Sequence, residues 1–242
     1  MWKKKLNQKE EQFVRSNFFR AFSFLFLVLL SFQSLGEHFF RFTPNLLAAQ
    51  KYNLELRLTT ASEILQIEQT AAPENSAIQY LLHANLYFKA FVSEESSEYA
   101  AYLEVRDRAI SHFELLPDST PYKKFLLSEV YFSSATLKAK RNEFYGAARD
   151  VNKAYSLIES NYTLFPDFLP NNKARGILQV YLSTVPDNYV WVIRMLGIRG
   201  DLRGGLGLLK ELSTHRSDTS FLGSVAKEAQ YLYAFSLLHV AN

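Results

Sequence analysis

Cysteine is missing from all 242 residues, which removes disulfides, thiolate nucleophiles and cysteine-ligated zinc together. A chain without cysteine has to rely on its core alone. Glycine (9) and proline (7) are scarce. With so few breakers and abundant Ala, Leu, Glu and Lys, helix is favoured over sheet. A charge excess is lacking where it would matter. The formal charge of +3 comes from residues 1–36, which hold Lys3, Lys4, Lys5, Lys9, Arg15 and Arg20 against Glu10 and Glu11. Taking these from totals of 27 basic and 24 acidic residues leaves 21 against 22. No nucleic-acid footprint remains in the body.

Catalytic motifs are lacking too. The segment "GIRGDLRGGLGLLK" has neither Gly-Lys-Ser/Thr nor a β-branched strand before it, as a phosphate loop requires. Gly205-Leu206-Gly207 has no third glycine for a dinucleotide fingerprint. His38, His83, His112, His215 and His239 show no metal-ligand spacing, and His83 reads as a packed, hydrogen-bonded side chain. No Gly-x-Ser-x-Gly elbow occurs. Glu94, Glu95 and Glu98 lie in the serine-rich "SEESSEY", which reads as a solvated loop. Arg199 and Arg203, beside a helix N-terminus, form a weak anion-site candidate; the competing reading is solvated or ion-paired arginines at a tight turn. The sequence assigns no catalytic, cofactor-binding or metal residue, and the expectation is a protein that is not an enzyme.

What is present begins with a leader. After the basic stretch, an apolar run from Ala21 to Phe32 precedes Ser34-Leu35-Gly36. That run is short for a spanning helix and fits a secretory signal with a small-residue cleavage site. An uncleaved signal anchor is the alternative, because Phe39, Phe40 and Phe42 extend the apolar character. Residues 1–36 are read as signal or anchor, with membrane association through 18–36 under the second reading. Both place the chain in the periplasm or at a membrane.

From Thr43 the chain alternates helical-period segments with short breaks. Pro44 opens a first helix continued by "LLAAQKYNLELRL", and "TTASEILQIEQTAA" forms a second that stops at Pro73. Ala49, Tyr52, Ala61, Leu65 and Pro73 fall at the spacings of a helix-pair repeat in which small residues mark close crossings; Glu68 stands where a further small residue is expected. Tyr80, Ala84, Tyr87, Ala109, Phe113 and Pro121 repeat the pattern. Tyr131, Ala135, Ala147, Val151 and Ala154 repeat it again. A helix over about Asn172–Thr184 follows, another opens at Pro186-Asp187, Gly197 to Gly200 break it, and Asp201 caps the next. Gly205 then takes a small-residue position, with Leu209 and Leu212 on the same face. The expected fold over 43–242 is all-α, a tetratricopeptide-like α-solenoid of antiparallel helix pairs.

The stretch "RGILQVYLSTVPDNYVWVIRMLGIRGDLRGGLGLL" resembles a segment of a eukaryotic tetratricopeptide family that includes a fungal mitochondrial outer-membrane protein of inclusion-body clearance and animal relatives. The whole chain, with "FPDFLPN" and "VPDNYVW", is similar to exported tetratricopeptide proteins of Gram-negative bacteria. The resemblance implies a helical scaffold without catalytic residues. Such a scaffold is expected to bind another protein or peptide on the concave face of its helix pairs. A membrane-anchored subunit of an envelope complex and an enzyme accessory subunit are the alternatives. The last segment, Phe221 to about Val240, reads as one apolar helix carrying only Lys227 and Glu228 as charges. Further repeats or a partner, including a second copy, are expected to cover it.

Overall fold

The computed structural model describes residues 38–185, 197–215, 217 and 219–240. The leader and the helix expected at Pro186-Asp187 lie outside them. Helix accounts for 77% of the described residues, with no strand among them. In chain order the helices are α1 (Pro44–Leu54), α2 (Leu58–Ala71), α3 (Ser76–Ser93), α4 (Ser96–Glu114) and α5 (Tyr122–Lys140). They continue with α6 (Phe144–Leu164), α7 (Asn171–Ser183), α8 (Leu202–Ser213) and α9 (Phe221–His239). None is long and apolar enough to cross a membrane.

Local chemistry sets the helix ends. Thr43, Asn75, Asp201 and Ser220 each accept a hydrogen bond from a backbone N–H in the first turn of α1, α3, α8 and α9, satisfying donors that have no partner within the helix. Pro44 sits in the first turn of α1, where its missing N–H costs nothing. Glu68, unexpected at a small-residue position, accepts from the Thr43 hydroxyl (3.1 Å) and from Asn45 Nδ2 (2.7 Å). It thereby ties α2 to the start of α1. Leu56, Glu94 and Asn142 adopt φ of 57°, 60° and 62°. Leu56 and Asn142 are each the middle residue of a three-residue link, between α1 and α2 and between α5 and α6, and share one hydrogen-bond pattern; Glu94 follows α3 directly in a two-residue link.

Two boundaries differ from expectation. "LLAAQKYNLELRL" is not one helix, because the left-handed Leu56 ends α1 and Leu58 starts α2. The "SEESSEY" insertion shrinks to Glu94 and Glu95. Ser96 to Tyr99 already belong to α4, whose first turn holds Glu98 at the positive end of the helix dipole. Glu98 also pairs with Lys89 at 2.8 Å.

Each helix packs on the next. The odd-numbered helices also contact one another in order, α1 with α3, α3 with α5, α5 with α7 and α7 with α9, and α9 in turn contacts α1. Five helices therefore enclose a common interior. Buried asparagines knit the first two together: Asn53 Nδ2 donates to the Leu81 carbonyl (3.0 Å), and Asn85 Nδ2 donates to Asn53 Oδ1 and to the Leu58 carbonyl (2.8 Å each). At α7 and α8 the backbones nearly touch. A Cβ on Gly205 would lie 2.6 Å from the Gly176 carbonyl oxygen, and one on Gly200 would lie 2.3 Å from the Ser183 nitrogen. Of the glycine cluster of 197–207, Gly200 and Gly205 serve this close approach, and Gly197 takes φ 71° in the turn before it.

Candidate functional site

One end of the five-helix interior is closed by aromatic rings. Phe40 and Phe42 lie just before α1. Phe40 stacks on Tyr122 at 4.4 Å, and Phe221 meets Phe40 at 4.9 Å and Phe42 at 5.0 Å. Phe168 completes the plug against Tyr122 and Phe125. Tyr122 and Phe221 are the first residues of α5 and α9, so the plug sits where these helices begin. The segment before α1 is held in place by Asn75, which donates to the Arg41 carbonyl (2.8 Å) and accepts from the Arg41 N–H (3.0 Å). Phe40 and Phe42 thus belong to the folded body, and their apolar character serves its core rather than the leader.

Further along the same helices lies a layer of charge. Lys173 on α7, 4% exposed at its side chain, pairs with Glu228 on α9 at 2.6 Å and with Glu129 on α5. Its ammonium also donates to the Tyr80 hydroxyl on α3 at 3.2 Å. Gln50 on α1 donates through Nε2 to Glu228, while its Oε1 is buried with no hydrogen-bond partner. Every odd-numbered helix contributes one member.

The electrostatics follow from burial and pairing. Burial alone would drive the lysine towards neutrality, but the carboxylates of Glu129 and Glu228 outweigh it and hold the Lys173 ammonium well above the ordinary lysine value. Burial raises Glu129 above the ordinary carboxylate range, more than Lys173 draws it down. Burial likewise raises Tyr80 well above the ordinary phenol value, aided by Glu228. A lysine locked in its charged form offers no free amine for attack, and a tyrosine that keeps its proton is no base.

Beyond the charge a cavity of about 310 Å³ opens, lined by Leu54, Ala84, Tyr87, Phe88, Phe132, Ile177, Tyr231 and Leu232, with Gln50, Tyr80, Glu129, Lys173 and Glu228 also on its wall. His83, 2% exposed, borders it and bonds to the Tyr102 hydroxyl at 3.2 Å. Burial, with Arg106 nearby, lowers its pKa to about 3, so the ring is neutral at physiological pH.

The residues singled out in the sequence mostly lie elsewhere. Ala49, Ala61, Leu65, Ala109, Phe113, Ala135, Ala147, Ala154, Gly205 and Leu209 are buried between helices. Ala84 differs: it is half-buried and, with Tyr87, faces the cavity. Tyr52 is half-buried with the Arg57 guanidinium over its ring at 4.4 Å, and Pro73 is exposed in the turn after α2. Arg199 and Arg203 are exposed, and the Asp201 carboxylate accepts from Gly204 N (2.9 Å) where an anion at the start of α8 would sit. Among the described residues no group of three or more His, Asp or Glu side chains is placed to hold a metal.

Gln50, Glu129, Lys173 and Glu228 were not foreseen. The signal available was a charge on an apolar helix face: Phe125 and Leu126 stand four and three places before Glu129, and Gly176 and Ile177 three and four places after Lys173. No protein-family model, curated protein or solved structure matches this chain.

Proposed function

We propose that the chain is a tetratricopeptide-like α-solenoid that binds another protein through the inner face of its odd-numbered helices. The observation that carries this reading is the cavity just described. Aromatic and aliphatic side chains from α3, α5, α7 and α9 converge on it, backed by a fixed charged layer, which is the composition of a binding pocket. The matching left-handed turns at Leu56 and Asn142 and the alternation of inner and outer helices support the repeat reading.

The protein acts in the cell envelope, exported by residues 1–36. The basic stretch and the short apolar run support export, and cleavage after Gly36 is favoured because Phe40 and Phe42 are spent on the body. N-terminal sequencing of the mature protein is expected to start within a few residues of Glu37; a retained Met1 would favour the anchored alternative.

The binding reading is tested by photo-crosslinking in cells that make the full chain. A benzophenone amino acid at Tyr231, which borders the cavity and is 58% exposed, is expected to give discrete polypeptide adducts. The same group at Tyr145 on α6, 88% exposed and away from the cavity, is expected to give none. Adducts at Tyr145 alone would refute an inner-face binding site.

A further inference from the structure

We propose that the cavity is a receptor for a primary ammonium on an apolar stem, the chemistry of a lysine side chain of the bound polypeptide. This rests on the protein-binding reading and adds the identity of the group recognised. The floor holds two carboxylates against one ammonium, and both carboxylate side chains keep some exposure, 13% for Glu129 and 16% for Glu228. Gln50 supplies a second and independent sign. It is 2% exposed and lines the cavity, yet its Oε1 accepts no hydrogen bond. A buried acceptor without a donor is costly, and an ammonium brings three donors and no acceptor. Gln50 Oε1 and the two carboxylates are the complement of such a group.

The walls select the stem. Tyr87, Phe88, Phe132 and Tyr231 present rings that attract a cation and pack against methylenes. A carboxylate ligand would approach Glu129 and Glu228 and compete for an ammonium they already hold. A free chain terminus would press its peptide N–H and C=O groups on apolar walls, leaving them unpaired. A side-chain ammonium meets neither obstacle. Lys173 is the cation that an incoming ammonium meets, and it is paired with both carboxylates; His83, also at the wall, is neutral and adds no second positive charge.

The test titrates the full chain with n-pentylamine, n-pentanol and pentanoate by calorimetry or ligand-observed NMR. The amine is expected to bind at least about tenfold more tightly than the alcohol, the ratio of one charge-assisted hydrogen bond. Glu129→Gln should remove most of that preference, and Gln50→Leu should reduce it, so either variant serves if the other fails to fold. Equal affinity for amine and alcohol, or tighter binding of pentanoate, overturns the inference. A capped peptide containing one lysine is expected to bind and to lose binding when that lysine is acetylated. Binding only of an uncapped, lysine-free peptide overturns the side-chain source. Polypeptide adducts at Tyr231 without amine preference would remove this inference and leave the protein-binding reading. Amine preference without adducts would leave an ammonium site and overturn a polypeptide as its source.

Discussion

Alanine substitutions at two glycines of α8, two residues apart, are expected to move stability in opposite directions. Gly205 and Gly207 lie in the same helix interior, so each loses the same helix-propensity penalty on becoming alanine, a gain of about 0.5–1 kcal/mol. The surroundings differ. A Cβ on Gly207 meets nothing within 4 Å. One on Gly205 would lie 2.6 Å from the Gly176 carbonyl oxygen and 3.0 Å from both the Val180 nitrogen and Val180 Cγ2. Two of those three atoms are backbone, which cannot rotate aside as the end of a long side chain can. The crossing of α7 and α8 must therefore open, at about 1–3 kcal/mol. Subtracting the propensity gain at the middle of each range leaves Gly205→Ala destabilised by about 1 kcal/mol and Gly207→Ala stabilised by somewhat under 1 kcal/mol. For a chain of this size that is a fall of about 2–4 °C and a rise of about 2 °C in Tm. Thermal unfolding followed by circular dichroism on the full chain measures both. The close-crossing argument fails if Gly205→Ala melts at or above the parent temperature, whatever Gly207→Ala does.

Three further outcomes are expected. Ala61 on α2 is fully buried, so Ala61→Leu should overpack its crossing and lower stability by about 1–3 kcal/mol; an unchanged urea midpoint would show that the assumed crossing does not exist. His83 titrates near the ordinary histidine value of 6.5 when unfolded and at about 3 when folded, because burial disfavours the charged ring. The unfolded chain therefore takes up a proton that the folded one refuses, and the stability is complete above the unfolded value and declines as pH falls. By about pH 5 the loss from this group is about 2 kcal/mol, and His83→Gln should flatten that part of a stability-versus-pH curve; an identical slope in the variant would assign the loss elsewhere. Asp201→Ala removes the cap of α8 and should cost about 1 kcal/mol in urea unfolding, whereas a role for Arg199 and Arg203 as an anion site predicts tighter sulfate binding in the same variant.

Much of the fold was legible because helix signals are local. Sparse glycine and proline, Pro44 at a first turn, Asp201 before an apolar stripe and alanines at repeat spacing each report on neighbours within a few residues. The break at Leu56 was not legible. "YNLELRL" carries no glycine or proline, and the left-handed turn rests on a leucine, a residue with no preference for it. "SEESSEY" misled in the opposite sense, because serine and glutamate suit both a loop and the first turn of a helix. The charged layer was the least legible feature. Its members stand 30 to 178 residues from Gln50 and meet only because α9 returns to α1, a closure that no local pattern encodes.

That closure makes Lys173 the most informative single position. Among the described residues its ammonium is the cation that pairs with both Glu129 and Glu228, and its side chain is 4% exposed. Lys173→Met keeps the stem volume but leaves two facing carboxylates where a paired triad stood. Breaking a buried pair costs about 3–5 kcal/mol, because the surviving charge is left without compensation. Here the residual partial exposure of both glutamates and the already raised Glu129 let one carboxyl take a proton, so the loss should fall at the low end near neutral pH. The pH dependence then has a definite sign. A folded carboxyl raised further above its unfolded value binds a proton that the unfolded chain does not, so the folded variant gains stability as pH falls and loses it as pH rises. The deficit of Lys173→Met against the parent should accordingly be larger at pH 8 than at pH 5. Replacing Lys173, Glu129 and Glu228 together by Met, Leu and Leu removes the charges in concert and should restore most of the stability, as apolar replacement of buried ionic groups often does. The same triple variant should lose the preference for an alkylammonium over its alcohol. Urea midpoints for the single and triple variants at both pH values decide the matter. A single variant as stable as the parent, or a deficit that shrinks as pH rises, would mean that Lys173 does not hold the two carboxylates in the folded chain.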